Sequence, residues 1–158
     1  MVSEDAAEWV LEIAAVGAPD HARSVETWVS NEVARAIAGA PGLSHADAYR
    51  LATAEARDPF VDDGPGPLAL IMASFRDNAD PARFLAGERC ARLGATAPAG
   101  VDVTATAMRR ARYPLADGTT GSIGDAPFSY VVRYHRPAND EARFVAEYVA
   151  THPPLIAR

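Results

Sequence analysis

The stretch that decides the fold is residues 127–158, PFSYVVRYHRPANDEARFVAEYVATHPPLIAR. Over 128–135 the side chains alternate, with Phe128, Tyr130, Val132 and Tyr134 on one side and Ser129, Val131, Arg133 and His135 on the other. This period of two predicts a half-buried strand. Asn139 is a good N-cap with two acidic residues after it, and it predicts a helix that ends at the Pro153-Pro154 pair.

The predicted strand is followed by YHRP and then by FVAEYVATHPPL. This order resembles the opening of an EthD-type domain, in the dimeric α/β-barrel (ferredoxin-like) superfamily. The resemblance rests on the Tyr-x3-His-x-Pro-Leu spacing behind a strand and a helix. It implies that a Pro-Gly turn, two strands, a helix and a last strand would follow. Because the chain stops at Arg158, we expect 128–158 to be the incomplete start of a second unit, from either a truncated sequence or a decayed repeat.

A longer set of elements precedes this segment, over residues 1–113. Alternating or continuously apolar residues predict strands at 9–16, 68–75 and 101–108. Apolar residues at three- and four-residue spacing predict a helix around 25–37, and Asp80-Pro81 predicts the start of a second helix that Gly94 stops. Residues 44–57 fit a helix or a strand equally well. We predict a strand, because the order then reads βαββαβ and matches the start at 128 as a repeat.

This order predicts an α+β, ferredoxin-like unit over 1–113, a linker over 114–127 and a second unit from 128. Four antiparallel strands with helices on one face would leave the other face apolar and open to water. We therefore expect two sheets to associate face to face, as a dimer or as a tandem-repeat α/β barrel, around a central cavity.

Composition excludes several classes of protein. The net charge is −6 and the longest basic cluster is Arg109-Arg110-Ala-Arg112, whereas nucleic-acid binding would require a basic surface. The sequence contains no lysine, which excludes Schiff-base mechanisms, and Cys90 is the single cysteine. No apolar run reaches the roughly 18 residues of a membrane span, and the N-terminus is acidic. We expect a cytoplasmic bacterial protein with no nucleic-acid or membrane partner.

His152 is the first candidate for a catalytic residue. The resemblance implies that a histidine at the end of this helix faces the mouth of the cavity and acts as acid or base, and imidazole titrates near neutral pH. Tyr148 lies one turn earlier, and Tyr134 would polarise a substrate carbonyl. The simpler alternatives are a histidine that caps the helix C-terminus and a tyrosine that packs beneath the helix.

Four further residues are candidates for substrate binding: Tyr130, Trp28, His135 and Arg133. In the first unit, Trp28 and Pro41-Gly42 fit the spacing of the resembling family, but Val33 occupies the histidine position. A valine transfers no proton, so this unit keeps the architecture without that residue. We expect no metal site, because no HxH or HExxH pattern occurs and Asp62-Asp63 matches no known ligand loop.

Three functions stay open at this stage. The first is an enzyme that binds a small hydrophobic or polyketide-like metabolite and transfers a proton without a cofactor, in a cyclisation, dehydration or isomerisation. The second is a non-catalytic binding or accessory protein. The third, implied by the wider superfamily, is a haem-dependent or cofactor-free monooxygenase. The fold alone does not decide among them.

Overall fold

The computed structural model describes residues 8–50, 66–77, 79–110 and 139–156. The chain divides into two compact units, one of Ala7–Arg110 and one that joins Met1–Ala6 to Ala111–Arg158. Each unit is described by itself below.

The unit Ala7–Arg110 is built on a four-stranded sheet. Its strands are β1 (Glu8–Gly17), β2 (Leu43–Arg50), β3 (Ala69–Phe75) and β4 (Val101–Arg110), in the spatial order β2-β3-β1-β4. All three strand pairs are antiparallel. With a helical segment between β1 and β2 and another between β3 and β4, this is the predicted ferredoxin-like βαββαβ arrangement.

Strand β2 confirms the choice of strand for the ambiguous segment as far as Arg50, and 51–57 lie outside the described residues. Among the described residues it pairs on one side, with β3, and the pairing has a register shift between Leu43 and His45. The turn before it needs Gly42, whose φ of 73° is the left-handed conformation that glycine adopts without steric cost.

The first helical segment departs from the regular stripe that the sequence predicts. It consists of α1 (Ala22–Trp28), a π-helical turn (Val29–Val33) and α2 (Ala34–Ala38). Its buried residues are Val25, Trp28, Val33 and Ile37, at spacings of three, five and four. The spacing of five is the signature of the π turn, whose hydrogen bonds join residues five apart. Val29, which a regular helix would bury, is only half-buried.

The second helical segment is also divided, into α3 (Ala79–Leu85) and α4 (Glu88–Thr96). The predicted start at Asp80-Pro81 is wrong by one residue, because the Asp77 carboxylate accepts a hydrogen bond from the backbone N–H of Ala79 at 2.8 Å. The predicted stop at Gly94 is also wrong. Helix α4 continues through Gly94 to Thr96, because a single glycine weakens a helix without ending it.

The core lies between the sheet and the helices. It combines one face of the central strands with the buried faces of the helical segments: Leu11, Ile13, Ala15, Ile71, Ala73, Phe75, Val25, Trp28, Val33, Ile37, Phe84 and Leu93. Burying each large apolar side chain contributes about 1.5–3 kcal/mol. Because both helical segments pack on this one face, the expected two-layer arrangement is confirmed.

In the other unit the described element is helix α5 (Glu141–Ile156). Its cap is Asp140 rather than Asn139, since the Asp140 carboxylate accepts a hydrogen bond from the backbone N–H of Arg143 at 3.0 Å. The predicted end at Pro153-Pro154 is wrong, because the helix continues to Ile156. A proline ring holds φ near the helical value, so the backbone can stay helical although each proline lacks a donor. The predicted strand 128–135 lies outside the described residues.

Candidate functional site

Trp28 is the one predicted site residue in the Ala7–Arg110 unit, and the structure places it in the core. It is 4% exposed, and its indole Nε1–H donates a hydrogen bond to Thr96 Oγ1 at 3.2 Å. This bond joins the end of α1 to the last residue of α4. Trp28 therefore has a structural role, because it holds the two helical segments together.

The remaining predicted site residues belong to the other unit. Tyr148 is half-buried on α5 and stacks on Phe144, with ring centroids 5.9 Å apart. His152 lies within α5, one turn after Tyr148 and before the end of the helix. The other four lie outside the described residues: Tyr130, Arg133, Tyr134 and His135.

An apolar cleft of about 230 Å³ opens between the first helical segment and the edge strand β2, and we call it the narrow cleft. Its helical wall carries Val29, Val33 and Ile37, and its strand wall carries Ala46 and Ala48. By register, Ala46 and Ala48 pair with Ala73 and Ile71 and so point to the helix side of the sheet. Both alanines are nevertheless exposed, because their side chains are too short to reach the helix.

A second cleft, of about 600 Å³, adjoins the first, and we call it the wide cleft. The two clefts share Val29 and Ala48 as walls. An ion pair between Arg50 Nη1 and Glu26 Oε1, at 3.2 Å, joins the strand to the helix here. Together the clefts form an apolar slot with a charged end.

The opposite face of the sheet contains a residue that the sequence analysis did not single out. Glu12 is 4% exposed and lies in the central strand, with Met72 and Thr106 as its neighbours in the register. Burying a carboxylate is costly unless it is paired or hydrogen-bonded. The signal in the sequence was that Glu12 is the one charged residue between Trp9 and Gly17 in this strand.

The same face carries a histidine–carboxylate pair at its edge. His45 Nε2 lies 2.9 Å from Asp47 Oδ2, and both side chains are on β2. Because Asp47 and Glu12 both pair with Met72, the two carboxylates lie in one row across the sheet. A two-residue spacing along a strand puts both side chains on one face of the sheet, and this brings His45 and Asp47 together.

Other chemistry is limited in the part of the chain that the structure describes. No group of three or more His, Cys, Asp or Glu side chains there could hold a metal ion. Burial raises the pKa of the Cys90 thiol, which disfavours the nucleophilic thiolate. Among these residues, no helix is long and apolar enough to cross a membrane.

The strand order defines the class of protein as ferredoxin-like α+β. No family model and no curated protein matches the chain. It is similar to solved structures of ferredoxin-like and α/β-barrel proteins. One is an EthD-family protein from Bacillus halodurans, with 14% identity, coverage of 62% of this chain and 96% of that one, and a TM-score of 0.43. Another is a DABB-family protein from Mesorhizobium loti, with 10% identity, coverage of 65% and 95%, and a TM-score of 0.45. A third is a cofactor-independent oxygenase from Streptomyces nogalater, with 18% identity, coverage of 70% and 96%, and a TM-score of 0.41.

Proposed function

We propose that this protein binds a small hydrophobic or polyketide-like metabolite in the slot formed by the narrow and wide clefts. The observation that carries the proposal is the exposure of Ala46 and Ala48 on the helix side of β2, beneath Val29. An apolar surface at this position would normally be closed by a larger side chain. Leaving it open to water costs about 25 cal/mol per Å² of apolar area, which a bound apolar ligand recovers.

The combined size of the clefts suits a small metabolite. Ligand pockets are generally about 300–1,000 Å³ and mostly apolar with a few polar groups. The narrow cleft supplies the apolar end and the wide cleft supplies the polar end, at Arg50 and Glu26. A flat, partly apolar ring system with a polar substituent fits this division.

A separate proposal of catalysis concerns α5, in the other unit. His152 and Tyr148 are four residues apart within this helix. His152 is then the general acid or base, and Tyr148 with Tyr134 orients a substrate carbonyl. Proton transfer of this kind needs no cofactor, because imidazole exchanges a proton near neutral pH.

A second candidate function is binding without catalysis. It is favoured by the lining of the narrow cleft. Asp47 is the one ionisable residue there within the described part of the chain, and its carboxylate pairs with His45 on the face of the sheet turned away from the cleft. A cleft of this composition can hold an apolar ligand but offers no proton donor of its own. Activity after removal of His152 separates the two functions.

We further propose that the sheet associates with a second sheet through the face that carries Glu12. Val10, Ala14 and Leu70 are apolar side chains on this face, whereas the described helices of this unit all pack on the opposite face. The second sheet comes from another chain or from a second repeat. Light scattering of the purified chain tests the first case, since a dimer mass requires association between chains.

The binding proposal is tested with a neutral apolar fluorophore, N-phenyl-1-naphthylamine. We expect saturable binding by the wild type and at least tenfold weaker binding by Ala48→Phe, whose ring occupies the slot. The matched control is Ala95→Phe, on an exposed position of α4 away from both clefts. Equal binding by wild type and Ala48→Phe would show that the slot is not the site.

A further inference from the structure

We propose a second ligand site, for a small phosphate-bearing molecule, in a cleft between the helical segments on the outer side of the helix layer. This arginine cleft has a volume of about 210 Å³. Arg35, Arg89 and Arg92 line it, together with Glu32. It shares none of these residues with the narrow or the wide cleft, so the inference is independent of the proposed function.

The helices bring two guanidinium groups onto one carboxylate and a third into the same cleft. Arg89 and Arg92 are three residues apart on α4 and therefore share a helix face, while Arg35 lies opposite on α2. Arg35 Nη1 lies 3.2 Å from Glu32 Oε1, and Arg92 Nη2 lies 3.4 Å from Glu32 Oε2. Each carboxylate oxygen thus faces a different arginine.

Arg89 has no carboxylate partner among the described residues. Its Nη1–H donates a long hydrogen bond, 3.4 Å, to the backbone oxygen of Ala36 near the end of α2. The guanidinium lies beside Gly39, where a Cβ atom would come within 2.5 Å of Arg89 Nη1 and displace the end of this flexible side chain. Arg89 is therefore a third cation at the cleft, without an ion-pair partner among the described residues.

The charges around the cleft do not balance. Three cations face one carboxylate, in a protein whose net charge is −6. If this cleft only joined the two helical segments, a single arginine opposite Glu32 would be enough. Additional positive charges at this distance repel one another and are destabilising. Each guanidinium also offers a fork of several N–H donors, and among the described residues each donates one hydrogen bond to a protein atom.

These features select a phosphate group as the ligand chemistry. A phosphate monoester carries about −1.5 to −2 charges at neutral pH, which offsets the excess of two positive charges. Its tetrahedral oxygens accept paired hydrogen bonds from guanidinium forks, the geometry for which arginine is suited. The small concave volume favours a compact ligand over a flat protein or membrane surface.

Calorimetric titration of the full chain at low ionic strength, with inorganic phosphate and phenyl phosphate, tests the site. We expect saturable binding to the wild type. We expect Arg89→Ala and Arg92→Ala each to weaken binding about ten- to a hundredfold, because each variant removes charge-assisted hydrogen bonds to the phosphate. Glu32→Gln removes the competing carboxylate and tightens binding. The matched control, Arg83→Ala, also removes one arginine, but this residue is paired with Asp80 outside the cleft, and binding stays as in the wild type.

Three results would overturn the proposal: no saturable phosphate binding to the wild type, equal losses for Arg83→Ala and Arg92→Ala, or unchanged affinity in Glu32→Gln. Circular dichroism establishes that each variant is folded. Where an arginine variant unfolds, Glu32→Gln decides alone, because tightened binding supports the site and unchanged binding rejects it. Stronger binding of phenyl phosphate than of inorganic phosphate would identify an organic monoester as the natural source of the group.

Discussion

Replacing Thr96 by valine isolates the hydrogen bond that holds Trp28 in the helical layer. Valine keeps the shape of threonine and has nearly the same helix propensity, so the change removes the hydroxyl and little else. The indole N–H of a side chain that is 4% exposed then loses its acceptor. An unsatisfied buried donor costs about 1–3 kcal/mol. Because this bond is only partly buried, we expect the lower end, about 1 kcal/mol.

For a unit of this size, a loss of about 1 kcal/mol lowers Tm by about 4–8 °C. Guanidinium unfolding followed by circular dichroism measures the free energy of unfolding directly. Thr27→Val is the matched control, because the Thr27 hydroxyl donates to the backbone oxygen of Arg23 on an exposed helix face. The control should change stability by less than about 0.5 kcal/mol. If Thr96→Val changes stability no more than the control, the indole bond does not stabilise the helical layer and the structural role of Trp28 is rejected.

Three further outcomes are expected. His152→Ala should reduce turnover of an identified substrate about 10²–10⁴-fold with the fold intact, and His135→Ala should matter less; full activity of His152→Ala would leave binding as the function. Gly42→Ala should destabilise the protein by at least about 1–2 kcal/mol in thermal unfolding, because φ is 73° and the new methyl group would overlap the Asp80 carboxylate; a neutral result would contradict the left-handed turn. Burial raises the pKa of the Cys90 thiol, so as pH rises the unfolded chain releases this proton first and stability falls above the ordinary thiol pKa. Cys90→Ala should remove that part of the alkaline loss, and identical pH–stability curves for the two proteins would refute the linkage.

The sheet could be predicted because each strand either has a strong local pattern or is indicated by the order of the elements around it. The secondary structure of the segment after Leu43 was the hardest to predict, because its local propensity suits a helix. Only the order of the other elements indicated a strand. Helix ends were less predictable. Asp77, three residues before the expected cap Asp80, accepts the hydrogen bond at the start of α3, and Asp140, one residue after the expected cap Asn139, caps α5. Competition between neighbouring caps is decided by backbone geometry rather than by composition.

The candidate sites were harder to predict than the fold, because they depend on contacts between distant segments. The narrow cleft exists because short side chains at Ala46 and Ala48 meet the wall that contains Val29. The arginine cleft depends on Glu32 meeting Arg92 across the helix layer. No local periodicity encodes such pairings. The sequence did contain one indication that Glu12 is unusual, because it is the one charged residue between Trp9 and Gly17 in this central strand.

The π turn at Val29–Val33 has a consequence for how related chains should be aligned. A π turn contains one residue more than the α-helical path it replaces, so a chain one residue shorter here would form an uninterrupted helix. The buried side chains before and after this point would then follow one another at the regular spacings of three and four residues. Val29 and Val33 bound this turn and line the narrow cleft, so its loss would reshape the helical wall of the slot. A one-residue gap at this point in an alignment would therefore mark chains whose slot has a different wall.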